Sequence, residues 1–81
     1  MPVFRFVVDD GSARKVRAEL DLPDFKTAKA EAVTIASERL NDIDGAFWKQ
    51  RDWRLDVTDE TDLILCSLVV YGVDAPAGRS S

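Results

Sequence analysis

The sequence predicts an α+β domain with a ββαββ pattern: a four-stranded antiparallel sheet with one helix packed on one face. The prediction rests on period-two alternation before Pro23, on apolar positions recurring at three- and four-residue steps from Phe25 to Ile43, and on alternating and aliphatic stretches after Asp52.

Residues 3–8 alternate, with Phe4, Phe6 and Val8 on one side and Val3, Arg5 and Val7 on the other. That is the repeat of a half-buried strand, and Phe4 and Phe6 are its expected core residues. Asp9, Asp10, Gly11 and Ser12 form a turn cluster whose glycine takes positive φ without steric cost. Residues 15–22 alternate again, placing Val16, Ala18, Leu20 and Leu22 opposite the charged Lys15, Arg17, Glu19 and Asp21. Pro23 ends this strand, and Asp24 is placed to cap a helix over residues 25–41. The helix stripe is Phe25, Ala28, Ala32, Ile35, Ala36, Leu40 and Ile43. Its alanines allow a close approach to the sheet, with Phe25, Ile35 and Leu40 as the larger contacts, and Gly45 is the expected C-terminal stop.

Residues 53–58 alternate Trp53, Leu55 and Val57 with Arg54, Asp56 and Thr58, and residues 63–71 form a longer aliphatic run. The polar residues 59–62 between them suit a short turn, so the two pair as a second antiparallel hairpin. Residues 1–74 are expected as one domain. Residues 75–81, with Pro76, Gly78 and two serines, are expected as a flexible tail. One helix cannot bury both sides of the last strand, which carries Leu63, Leu65, Val69 and Tyr71 on one side and Ile64, Cys66, Leu68 and Val70 on the other. The uncovered sheet face, or the edge of this strand, is therefore the candidate self-association surface, centred on Leu63, Leu65, Val69 and Tyr71.

Composition narrows the chemistry. A chain of 81 residues buries only about 60 to 65% of its unfolded surface, but 46% hydrophobic and 32% charged residues are an ordinary globular balance. There is no histidine, which removes imidazole bases and histidine metal ligands. The single cysteine, Cys66, cannot form an internal disulfide or a multi-cysteine zinc site. No cofactor is expected. The chain opens without a basic leader or a continuous apolar stretch, and its longest apolar run is too short to cross a bilayer as a helix, so a cytoplasmic location is expected. A net charge of −4 works against attraction to phosphate backbones, which makes nucleic acid a disfavoured partner.

Two acidic groups resemble cation sites at first sight. Asp56, Asp59, Glu60 and Asp62 gather near one turn, but they lack the central glycine and terminal glutamate of an EF-hand loop. In the fragment from Asp42 to Gly45, placing Gly45 at the sixth loop position puts Leu40 first and Arg51 twelfth, and neither is a carboxylate. A helix end accounts for it better. Residues 47–54 interleave aromatic rings with cations, as single-strand nucleic-acid surfaces do, and core packing by Trp53 with Phe47 or Trp48 is the competing reading.

The opening Met1, Pro2, Phe4 and Phe6, the Asp10-Gly11 turn, and the Asp21-Leu22-Pro23-Asp24 helix start are joined by Ala28, Glu31, Ala32, Leu40 and the strand from Trp53 to Glu60. Together they resemble a family of short bacterial proteins of unknown function, over most of the chain from Met1 to about Val70. The shared motifs mark turns, caps and core positions, and no catalytic residue is carried over. The chain departs from the family pattern after Glu60, where a glycine commonly follows, and in its bulky apolar last strand.

The function expected from the sequence is a non-enzymatic interaction module, a homodimer or a domain that docks an unidentified protein partner. The alternative is weak binding of nucleic acid or another anionic ligand through Trp48, Lys49, Arg51 and Arg54. A carboxylate-dependent enzyme is a third class and needs two carboxylates with displaced pKa values in one concave pocket.

Overall fold

One turn organises the N-terminal hairpin in the computed structural model, which describes residues 2–43, 47–50 and 52–79. Asp10 accepts hydrogen bonds from the Ser12 and Ala13 amides and the Ser12 hydroxyl, and Gly11 takes φ 94°. Strands β1 (Val3–Asp9) and β2 (Arg14–Asp21) run antiparallel on either side. Past Pro23, the Asp24 carboxylate accepts from the Thr27 amide at 2.8 Å and caps α1 (Phe25–Ile43). A short α2 (Phe47–Gln50) leads into β3 (Asp52–Thr58) and β4 (Ile64–Tyr71), and a single turn α3 (Pro76–Arg79) lies within the segment expected as a tail. The expected stop at Gly45 lies outside the described residues.

The four strands form one antiparallel sheet in the order β2-β1-β3-β4. The α+β reading holds, with α1 packed on one face of the sheet, chiefly against β3 and β4. Phe4, Phe6 and Val8, then Trp53, Leu55 and Val57, meet Ala28, Ala32, Ile35 and Ala36 of the helix in one core. The two hairpins join through β1 and β3, whose residues pair from Arg5 with Thr58 to Asp9 with Arg54. Both central strands are thus buried, and β2 and β4 are left as the free edges.

Four sequence expectations are corrected. The register shifts between Phe6 and Val7, so that Val7 pairs with Val16. Paired residues point to the same side of a sheet. Val16 therefore leaves the Ala18, Leu20 and Leu22 side and stands half exposed on the face away from the helix. A second shift at Val57 and Thr58 pairs Thr58 with Ile64 and takes Ile64 off the side of Cys66, Leu68 and Val70 in the same way. Such bulges insert one residue and break the alternation that sequence reading depends on. Leu63 falls before β4 in the turn, where its carbonyl accepts from the Asp59 amide at 3.1 Å. Phe25, expected as a main contact, is exposed at the first helical position, with the Lys29 ammonium 5.4 Å from its ring centre.

Candidate functional site

The face away from α1 is not an apolar surface. Asp56 on β3 points into it and is fully buried. Register places Asp56 beside Val7 of β1 and Ser67 of β4. Arg14 reaches from β2 across β1 to Asp56 Oδ2 at 2.5 Å. Arg54, two residues away on the same strand, grips the carboxylate with two atoms: Nε lies 3.0 Å from Oδ1 and Nη2 lies 3.1 Å from Oδ2. The Ser67 hydroxyl donates to Oδ1 at 2.5 Å. One carboxylate thus binds groups from β2, β3 and β4. Burial would push the Asp56 carboxyl up, but the hydrogen bonds from Ser67, Arg14 and Arg54 and the charge of Arg54 outweigh it and hold it below the usual carboxylate range. Arg14 must pass over β1 to reach Asp56, which accounts for the burial of Val7, a residue expected on the outer side.

Sequence reading missed Asp56 as an organising group and placed it among acidic turn residues. Those four acids do not converge. Asp59 accepts from the Thr61 amide and hydroxyl and from the Leu63 amide, which shapes the turn, and Asp62, at φ 68°, pairs with Arg5 at 3.2 Å. Arg5 also pairs with Glu19 at 3.0 Å. An available signal was the Arg-x-Asp spacing of Arg54 and Asp56, which puts both side chains on one face of a strand.

The aromatic and basic segment is dispersed. Trp48 and Phe47 meet edge to face, with ring centres 5.6 Å apart. Both stand over Gly72, just past the end of β4. Phe47 packs against the core and Trp53 is buried in it. Arg54 is committed to Asp56, Lys49 is exposed on α2, and Arg51 lies outside the described residues. A cleft of about 400 Å³ beside Arg54 is lined by Asp9, Asp52, Trp53 and Val69. Asp9 there accepts from the Gly11 amide at 3.0 Å.

The self-association candidates gather along β4. Leu65, Val69 and Tyr71 are exposed on the strand and Leu63 is exposed just before it. β4 carries no charged residue and no proline, whereas the opposite edge β2 carries Arg14, Lys15, Arg17, Glu19 and Asp21. Between β4 and α1 runs a largely apolar groove of about 360 Å³, lined by Ala30, Ala32, Val33, Cys66 and Leu68 with Lys29 at its rim. Burial pushes the Cys66 thiol up, which keeps it protonated and apolar in character. Among the described residues, no helix is long and apolar enough to cross a membrane.

The sequence model of a family described as a domain of unknown function matches residues 3–71, the span from the start of β1 to the end of β4. No curated protein and no solved structure matches the chain.

Proposed function

The chain belongs to the DUF6894 family, a domain of unknown function, and from its geometry we propose that it is a non-enzymatic self-association module whose β4 pairs antiparallel with β4 of a second copy. The observation that carries this reading is the contrast between the two sheet edges. Free edges expose unpaired backbone donors and acceptors, and sheets guard them with charges, prolines or short strands. β2 is guarded in this way by charges of both signs, and β4 is an uncharged strand of eight residues. Pairing β4 with itself brings no like charges together and sets apolar side chains opposite one another. The Ser67 hydroxyl in the middle of that strand is already engaged by Asp56, and the Tyr71 phenol stands exposed at its end. Two four-stranded sheets would continue as one of eight strands.

Light scattering over a dilution series, at low and at moderate salt, tests the reading. The expected result is a dimer whose mass holds at moderate salt, since an apolar edge is little screened. Val69→Lys, placed where the side chain is 61% exposed, is expected to leave the fold intact and return the protein to a monomer. A wild-type monomer at every concentration and both salts would reject the proposal.

A further inference from the structure

We propose that Arg14 is a lid with two seats on the sheet face away from α1: closed on Asp56, where it covers Val7, and open on Asp9, where it leaves Val7 bare beside Val16. Asp9 is the nearer acceptor. Register sets it directly opposite Arg14 of β2 on one side and Arg54 of β3 on the other, and directly paired residues share one side of a sheet with Cβ atoms about 5 Å apart. Asp56 lies beyond β1, two strand spacings or about 10 Å from the strand that carries Arg14. Both arginines nevertheless turn to Asp56. Burial accounts for the preference, since Asp56 is fully buried and an ion pair gains more where water is excluded. Asp9 is half-buried and holds the Gly11 amide on Oδ1. A carboxylate has about four acceptor positions, so Asp9 can take a guanidinium as well.

The closed seat can empty without stranding the buried carboxylate. Oδ1 of Asp56 binds Arg54 Nε and the Ser67 hydroxyl, and Oδ2 binds Arg54 Nη2 and Arg14 Nη1. When Arg14 leaves, each oxygen keeps a donor and the charge keeps Arg54, so the cost of an unpaired buried charge does not arise. Arg14 is joined through one nitrogen and its side chain is 41% exposed, which lets it swing through water from one seat to the other. Beneath it Val7 is buried, whereas Val16, its partner across the strands, is half exposed on the same face. Opening therefore joins the two valines into one apolar strip. The lid works at a distance from the β4 edge and does not depend on whether that edge pairs with a second copy.

Methyl NMR of Val7 reads the lid, since a partly exposed side chain exchanges fast and the shift is the average over both seats. Arg14→Ala supplies the shift of an uncovered Val7. Asp9→Asn keeps an acceptor for the Gly11 amide and removes the charge of the open seat. It is expected to move the Val7 shift away from the Arg14→Ala value as the open-to-closed ratio falls by about 1.5- to 5-fold, the range of an exposed ion pair. In an Arg14→Ala background the same substitution is expected to leave Val7 where it is, which separates loss of the seat from a local effect of the change at Asp9. The core methyls of Leu55 and Val57 check that the fold is intact. An unmoved Val7 in Asp9→Asn, a movement toward the Arg14→Ala value, or an equal movement in the Arg14→Ala background would overturn the two-seat lid.

Discussion

The Ser67 hydroxyl donates a 2.5 Å hydrogen bond to Oδ1 of Asp56 and so ties the edge strand β4 to the central strand β3 on the face away from the helix. Backbone pairing alone holds most edge strands. This one has a charge-assisted side-chain bond as well, made to a carboxylate that water does not reach. Ser67→Ala is expected to cost about 1–2 kcal/mol, the loss of a hydrogen bond to a charged group that keeps its other partners. Chemical denaturation with an unchanged slope would check the value.

Asp56 itself is expected to matter more. Asp56→Asn keeps the shape but removes the charge that gathers Arg14 and Arg54. The two arginines are about half exposed, so they return to water instead of being trapped, which softens the penalty. The expected loss is about 2–3 kcal/mol, below that of severing a fully buried pair. The same denaturation measurement reads it, and Val7 is expected to gain solvent exposure as Arg14 lifts from β1.

Acid is expected to unfold the protein through its aspartates. Asp56, Asp24 and Asp59 are each held below the usual carboxylate range, and Asp10 is lowered to about 2 by hydrogen bonds from the Ser12 and Ala13 amides and the Ser12 hydroxyl. A carboxyl that is more acidic in the folded chain stabilises the fold above its unfolded pKa, about 4, and that stabilisation fades as the pH falls through the folded value. With no histidine in the chain, melting temperature is expected to be level from about pH 5.5 to 8 and to fall between about pH 4 and 2. The gap between wild type and Asp56→Asn should close over the same acid range.

Gly72 supports the Phe47 and Trp48 rings at the end of β4. A Cβ there would come within 2.8 Å of Trp48 and 2.9 Å of Phe47. Gly72→Ala is expected to displace both rings at a cost of about 1–2 kcal/mol, with a change in the near-ultraviolet circular dichroism of the tryptophan.

The elements and the main core were legible because each depends on local periodicity. Phe4, Phe6, Trp53, Leu55 and Val57 alternate, and Ala28, Ala32, Ile35 and Ala36 recur at helical steps. Strand order was not legible, since the pairing of β1 with β3 is set by contacts far apart in sequence. Val16 and Ile64 were assigned to the wrong face because each lies beyond a bulge, and a bulge leaves no mark on an alternating pattern. The site was half legible. The apolar excess of β4 was plain in its composition, whereas the Asp56 cluster joins Arg14 to a residue 42 positions away, and no local motif announces such a contact.

Amide hydrogen exchange resolved by residue, at a concentration where scattering reports the dimer mass, tests the central claim most directly. Outward-facing amides of β4 are expected to be protected to the level of β1 and β3 and to lose that protection in Val69→Lys, while outward-facing amides of β2 exchange fast in both proteins. Exchange at β4 as fast as at β2 in the wild type would contradict pairing through this edge.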